Sequence, residues 1–150
     1  MPTITICSSA NFYKQAVDIQ TQIEKLGYIV LIPATAERMK KSGDFEVSHY
    51  KIWFADAKNY RKKTELMRGH FAKIAKGDAI LVLNFKKRGV ENYIGGNVLM
   101  EMALAFYLKK PIYILNEIPK ESAFLEEIIG LNPIVLHGKI NRISFKTQSS

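Results

Sequence analysis

One carboxylate interrupts the most apolar stretch of the chain. Residues 93–106 read YIGGNVLMEMALAF, and Glu101 is the only charged residue among the eleven positions 98–108. An ionised carboxylate without a partner is costly in an apolar interior, so a helix that is apolar on all sides gives no packing reason for an acid here. A carboxylate that faces a cleft could instead attack the anomeric carbon of a sugar, through a transition state resembling an oxocarbenium ion.

Two interpretations of Glu101 are open. If Gly96 or Asn97 caps the helix, Glu101 lies near the first turn, where the helix dipole stabilises a negative charge by about 0.3–1 kcal/mol. Alternatively, the same helix N-terminus keeps Glu101 ionised and directs it into a cleft walled by Gly95, Gly96 and the end of the first strand. The Gly95-Gly96 pair favours the second interpretation, because backbone without side chains lets a ligand approach closely.

The elements that must position this carboxylate alternate along the chain. Strands are predicted at 3–7, 28–32, 79–83, 111–115 and 133–137. Helices are predicted from Asn11 to Leu26, at two places between 34 and 76 with the second at about 60–76, at 97–109, and from Ser122 to Gly130. Each strand is a continuous apolar run, which indicates a parallel sheet covered on both faces. The predicted fold class is α/β, a three-layer α/β/α sandwich with a mostly parallel five-stranded sheet of Rossmann or flavodoxin type.

The length and composition are those of one domain. The 150 residues include 47% hydrophobic and 24% charged residues, as in an average globular domain. We therefore predict a single domain over 1–150, with a basic helical insertion at about 34–65. Within that insertion, the stretch KKSGD at 40–44 is predicted to be an exposed loop.

Positive charge is concentrated in about a quarter of the chain. The net charge is +8, and 11 of the 22 lysine and arginine residues fall between Arg38 and Lys76. Such a segment can attract the phosphate of a small nucleotide or of a nucleic acid, or it can be an ordinary solvated helix surface. Because the motifs of nucleic-acid-binding domains are absent, a nucleic acid is not the expected partner.

Sequence signals for a membrane, a disulfide or a metal are missing. No apolar run reaches the about 18 to 20 residues of a membrane span, and the N-terminus lacks the pattern of a signal peptide, so we expect a cytoplasmic protein. Cys7 is the single cysteine, and no histidine is evidently paired with it by spacing. His49, His70 and His137 lack metal-ligand spacing, so neither a metal nor another cofactor is predicted.

The order of these segments resembles an enzyme superfamily. ITICSS and a helix, then GDAILVLN, a glycine-rich loop and GNVLMEMALAFYLKKPIYIL, are similar to the nucleoside 2-deoxyribosyltransferase superfamily, which includes the deoxynucleoside 5'-monophosphate N-hydrolases. The resemblance covers about 3–33 and 66–137. It implies cleavage or transfer at the N-glycosidic bond of a nucleoside or nucleoside monophosphate. It also implies a homodimer or larger homo-oligomer, in which a neighbouring subunit completes the pocket.

The resemblance also assigns residue roles, with three departures from the family pattern, at His70, at Gly95 and near Thr5, where many members have a first-strand Tyr. Glu101 corresponds to the nucleophile. His70 stands where the family usually has a catalytic Asp, and it would serve either as a general acid or as a partly buried core residue. Gly95 stands where the family has a small polar or acidic residue. Substrate binding is implied for the residues after the first strand, which could equally cap the next helix, and for those before the Glu101 helix: Ser8, Ser9, Asn11, Gly95, Gly96 and Asn97.

Three other functions remain open. A nucleotide-binding or regulatory module without turnover agrees with His70 and Gly95 at positions that are catalytic in the family. A phosphoribohydrolase of the cytokinin-activating type has a similar Gly-Gly loop before a Glu helix, but its PGGxGTxxE motif is missing here, because Ile94 precedes the glycines and Asn97 follows them. A protein that associates with nucleic acid through the basic segment is the third.

Overall fold

The computed structural model describes residues 1–145, in which five strands alternate with five α-helices. The strands are β1 (Thr3–Ser8), β2 (Ile29–Leu31), β3 (Ala79–Leu83), β4 (Ile112–Ile114) and β5 (Ile134–Val135). The helices are α1 (Tyr13–Lys25), α2 (Ala34–Ser42), α3 (Tyr60–Lys76), α4 (Gly96–Tyr107) and α5 (Leu125–Gly130). The apolar runs of the sequence therefore locate all five strands.

The sheet is entirely parallel, with the strand order β2-β1-β3-β4-β5. Ile4 of β1 pairs with Val30 of β2 on one side and with Ala79 of β3 on the other. From β1 the chain runs first to β2 at one edge of the sheet, and then back across β1 to β3, β4 and β5 on the other side. This reversal creates a topological switch point between β1 and β3. A crevice opens at such a point, outside the carboxyl ends of the strands.

Two apolar layers join the sheet to helices on its two faces. Alternate residues of β1 point to opposite faces, so Ile6 belongs to one layer and Cys7 to the other. The first layer contains Ala16, Ile19 and Ile23 of α1, and the second contains Ile74 of α3, Met102 of α4 and Ile128 of α5. The predicted three-layer α/β/α fold of Rossmann or flavodoxin type is confirmed.

The exposed loop predicted at 40–44 is confirmed in its exposure at 40–43, but the loop is wrong for 40–42, which are helical. Helix α2 continues through Ser42 and ends at Gly43, whose φ of 76° is the left-handed conformation of a helix C-terminus. Ala36 and Met39 are buried at helical spacing and hold α2 against the protein, while the lysines of KKSGD lie on its outer side. The expected insertion boundary at about 65 lies inside the continuous helix α3, and the insertion itself stays a prediction.

Residues 44–59, called the 44–59 segment below, connect α2 to α3 through three 3-10 turns at Val47–His49, Ile52–Phe54 and Ala57–Asn59. Trp53 is buried, and the hydroxyl of Tyr50 donates a hydrogen bond of 2.8 Å to the carbonyl of Asp44. The segment therefore folds back on the molecule, where it contributes one wall of the crevice.

Two element boundaries differ from the prediction near the C-terminal edge of the sheet. Helix α5 begins at Leu125 and not at Ser122, whose hydroxyl accepts a hydrogen bond from the backbone of Phe124 in the preceding turn. Strand β5 is shorter than 133–137, and His137 has a φ of 53°, which no strand residue adopts. Within residues 1–145, no helix combines the length and apolar character needed to cross a membrane.

Candidate active site

A cleft of about 180 Å³ lies at the switch point between β1 and β3. Seven of the eight candidate residues from the sequence line it, namely Ser8, Ser9, His70, Gly95, Gly96, Asn97 and Glu101. The eighth, Asn11, is not among the lining residues: its side chain is exposed and accepts a hydrogen bond of 3.4 Å from the Ser9 hydroxyl. Candidate residues from β1, α3 and the start of α4 therefore meet in one place.

Glu101 reaches the cleft from the second turn of α4. The cap residue is Gly95 and the helix begins at Gly96, so Glu101 is the sixth helical residue. The effect of the helix dipole is confined to the first turn, and the capping interpretation of Glu101 is therefore wrong. The residue is only 3% exposed, yet it lines the cleft.

The nearest polar partner of Glu101 is His70, which α3 carries on the same side of the sheet. Nε2 of His70 lies 3.3 Å from Oε2 of Glu101, and His70 is 9% exposed. Both side chains line the cleft, so a ligand bound there could contact either. His70 is buried beside Ile74 on α3, as the interpretation of a partly buried core residue predicted, and its role as a general acid stays a prediction.

Burial moves the pKa values of this pair apart. It raises the pKa of Glu101 to about 8, an effect that the positive charge of Lys63 partly offsets. Burial lowers the pKa of His70 to about 4, and the charge of Lys73 acts in the same direction. The raised pKa contradicts the expectation that the helix N-terminus keeps Glu101 ionised. At pH 7 these directions favour a neutral carboxyl group on Glu101 and a neutral imidazole on His70.

Cys7 is also paired with His70, which the sequence spacing did not reveal. Its Sγ lies 3.6 Å from Nε2 of His70. The thiol is fully buried and does not line the cleft, and burial, followed by the charge of Glu101, raises its pKa well above the usual value. Cys7 is therefore a neutral thiol and no nucleophile. The ligand atoms of Cys7, His70 and Glu101 nevertheless lie within 4.8 Å of one another, so they could hold a metal ion.

Three lysines, Lys51, Lys63 and Lys87, line the cleft and are called the lysine wall below. Among residues 1–145, none of them forms a salt bridge with a carboxylate. Burial lowers the pKa of each, and neighbouring positive charges lower the pKa of Lys51 and Lys87 further. Positive groups that repel one another around a cleft favour the approach of an anion, although the charge of Glu101 acts on Lys63 in the opposite direction.

Neutral side chains hold two of these lysines in place. Lys87 Nζ donates a hydrogen bond of 3.0 Å to the Ser9 hydroxyl and lies 4.7 Å from the centre of the Tyr93 ring. Lys63 Nζ donates a hydrogen bond of 3.3 Å to Asn97 Oδ1 and lies 5.7 Å from the centre of the Trp53 ring. Sequence reasoning located the general basic segment but missed these partners, because they come from different loops.

The two glycines before α4 have different surroundings. A Cβ atom on Gly95 would lie 2.8 Å from the Tyr93 hydroxyl, whereas a Cβ on Gly96 would meet no atom within 4 Å. Gly95 thus allows Tyr93 to lie against the start of α4, where it supports Lys87. Gly96 leaves open space at the cleft, and the close approach of a ligand to its backbone stays a prediction.

Comparison of the chain with protein-family models and with curated proteins finds no match in either case. The function is therefore inferred from the side chains of the cleft.

Proposed function

We propose that the protein cleaves or transfers the N-glycosidic bond of a nucleoside monophosphate, or of a nucleoside, with Glu101 as the nucleophile. The observation that carries the proposal is the position of Glu101, which is buried beside His70 in a cleft at the switch point of the sheet. Perturbed carboxyl and imidazole groups in a cleft are typical of catalytic sites.

The proposed reaction uses the single proton of the pair. His70 Nε2 takes the proton from Glu101, and the resulting carboxylate attacks the anomeric carbon of the sugar. The bond between the sugar and the base breaks, its electron pair moves to the base nitrogen, and protonated His70 gives its proton to the base. Water or a second base then attacks the same carbon, which releases the sugar and the carboxylate, and the proton lost by that nucleophile restores the neutral pair.

The lysine wall supports a phosphorylated substrate. A phosphate carries about 1.5 to 2 negative charges at pH 7 and offers strong hydrogen-bond acceptors. Its binding relieves the repulsion among Lys51, Lys63 and Lys87, and it leaves the sugar between the lysines and Glu101. A plain nucleoside lacks that contribution, so we expect it to bind less tightly than its monophosphate.

The decisive experiment is incubation with a panel of nucleosides and nucleoside monophosphates, with and without a second free base, followed by chromatography of the released base. Glu101→Gln should lower the rate of base release by at least about 1,000-fold, because no covalent intermediate can form. The control Glu127→Gln changes an acid on the outer side of α5 and should keep the wild-type rate. Unchanged turnover by Glu101→Gln contradicts the proposal.

A second candidate is a nucleotide-binding module without turnover. The observation that favours it is the raised pKa of Glu101, which leaves the carboxyl group protonated at neutral pH in the free protein. Thermal stabilisation of the protein by nucleoside monophosphates, with no base released over many hours, would select this function over catalysis.

A further inference from the structure

Three side chains with metal-binding atoms meet at the inner end of the cleft. Cys7 Sγ lies 3.6 Å from His70 Nε2, which lies 3.3 Å from Glu101 Oε2. The three ligand atoms all lie within 4.8 Å of one another. They come from β1, α3 and α4, so the switch point of the sheet brings together residues that are far apart in the sequence.

The two measured separations are those of ligands around one tetrahedral zinc ion. Zn–S bonds of about 2.3 Å and Zn–N bonds of about 2.0–2.1 Å, at the tetrahedral angle, put sulfur and nitrogen about 3.6 Å apart. Zn–N and Zn–O bonds of similar length put nitrogen and oxygen about 3.3 Å apart. An ion could thus bind with little movement of His70 relative to either partner, while Cys7 and Glu101, whose ligand atoms lie within 4.8 Å of each other, would need a separation of about 3.6 Å.

Hydrogen bonds alone do not satisfy every polar atom of Cys7, His70 and Glu101. Nε2 of His70 faces both the Cys7 thiol and the Glu101 carboxyl group, but a ring nitrogen has only one proton or one lone pair to offer. Nδ1 of the same ring is buried and has no partner in hydrogen-bonding geometry within the described residues, although the Ile6 backbone is close enough to raise the pKa slightly. A metal on Nε2 would use the single lone pair for which Cys7 and Glu101 compete, with the ring proton on Nδ1.

Charge and access also suit a metal. A thiolate and a carboxylate together balance the two charges of a divalent cation, so the occupied site is neutral overall, as a buried place requires. His70 and Glu101 line the cleft, so a metal ion could reach the three side chains from the cleft.

We propose that Cys7, His70 and Glu101 form a binding site for a divalent transition-metal ion such as Zn²⁺, and that the bound ion inhibits the enzyme reversibly by occupying the Glu101 carboxylate. The binding of metal stands independently of the proposed function. The inhibition rests on the proposed function, because it requires Glu101 to be the nucleophile.

The binding is tested on the full chain after removal of metal with a chelator. Titration with Co²⁺ should give one equivalent of binding, with a sulfur-to-cobalt charge-transfer band and the visible spectrum of four-coordinate Co²⁺, and Zn²⁺ should displace it. Cys7→Ser should abolish the charge-transfer band and lower Zn²⁺ affinity, measured against a chromophoric chelator, by at least about 10-fold. The matched control is the double variant His49→Ala and His137→Ala, which removes two exposed histidines and should change neither result.

Two results would overturn metal binding: the absence of stoichiometric Co²⁺ binding by the wild-type protein, or binding that survives in folded Cys7→Ser and disappears in the histidine control. Circular dichroism establishes that each variant is folded.

The inhibition is tested separately, as the Zn²⁺ concentration that halves base release relative to the metal-free rate of the same variant. Activation by Zn²⁺, or equal inhibition of wild-type and Cys7→Ser protein, overturns the inhibitory role. A protein that binds Co²⁺ as described but releases no base keeps the metal site and contradicts the proposed function alone.

Discussion

At the scale of single residues, the chemistry of the cleft depends on how Glu101 and His70 are protonated. Glu101 and His70 lie 3.3 Å apart, and burial makes the carboxyl group the weaker acid of the two. A charged pair in the same place would pay the desolvation of both ions, whereas the neutral pair avoids that cost. In the proposed reaction the proton moves to His70 before Glu101 attacks, so the two groups would act together.

This pair predicts how activity depends on pH in the metal-free protein. The singly protonated pair is present between the pKa of His70, about 4, and that of Glu101, about 8. With a nucleoside as substrate, which adds no phosphate ionisation, kcat/KM should be highest between these values. It should fall above pH 8, because the pair then lacks the proton for the leaving base. A rate that continues to rise up to pH 10 would contradict the proposed use of the proton.

Sequence reasoning found part of this residue chemistry. Glu101 was visible because a charge in an apolar helix is anomalous over a few neighbouring positions. Its low ionisation was not visible, because burial depends on the packing of α3 against α4. The contacts of His70 with Glu101 and of Cys7 with His70 join residues 31 and 63 positions apart, and only the folded sheet brings them together.

At the scale of elements, the loop between β3 and α4 carries one lysine toward the cleft and one away from it. Lys87 contacts Ser9 and Tyr93 at the cleft, while its neighbour Lys86 forms a salt bridge of 3.1 Å with Glu91 outside the lining residues. Only the first can contact a bound phosphate.

We therefore expect Lys87→Met to raise KM for a nucleoside monophosphate by roughly tenfold, as for the loss of one charge-assisted hydrogen bond. The same change should affect KM for the unphosphorylated nucleoside much less. Steady-state kinetics with both substrates measure the difference, and Lys86→Met is the control, expected to behave like the wild type. Equal effects of Lys87→Met on both substrates would place the phosphate elsewhere.

A second lysine joins two elements far from the cleft. The Nζ atom of Lys110, in the turn between α4 and β4, donates hydrogen bonds to the last carbonyl groups of α3 and its cap, at Ile74, Ala75 and Gly77. A cation at this end also interacts favourably with the helix dipole.

Lys110→Met should lower the free energy of unfolding by about 1–2 kcal/mol, because these carbonyls lose a charged donor. Urea denaturation measures the change. Lys109→Met is a matched control, since Lys109 is exposed and makes no side-chain hydrogen bond among the described residues, and it should leave the midpoint unchanged. Equal midpoints for both variants would show that the contact does not stabilise α3.

Strands and helices were predictable from the sequence where the periodicity of apolar residues matches their packing in the fold. The apolar strands and the amphipathic helices α1 and α3 follow the periodicity of their own residues. The end of α2 was missed because Lys40, Lys41 and Ser42 have loop-like composition, while Met39 and the left-handed Gly43 determine where the helix actually ends. The 3-10 turns of the 44–59 segment follow no period at all.

At the scale of the whole molecule, the outer side of α4 remains apolar and uncovered. Met100 is 44%, Phe106 is 53% and Tyr107 is 74% exposed, although the opposite side of the same helix is packed in the core. Contiguous apolar side chains on a surface are typical of an interface between proteins. This face supports the expectation, from the superfamily resemblance, that the protein is a homo-oligomer.

We expect a homodimer that uses this face of α4. Tyr107→Lys should shift the protein from dimer to monomer in sedimentation velocity at micromolar concentration, because a charge would be buried at the interface without a partner. Leu26→Lys, at an exposed apolar position after α1, is the control and should stay dimeric. A wild-type protein that is monomeric at all concentrations would contradict the expectation.

The 44–59 segment contributes to the lining of the cleft but not to the sheet of the fold. Its single turns supply Lys51 and Trp53 to the cleft, yet it adds no strand to the sheet. Insertions or replacements there can reshape the entrance for another compound while the acid on α4 and its imidazole neighbour keep their places. Sequence changes confined to this connection could thus alter which small molecules bind, while Glu101 and His70 stay in place.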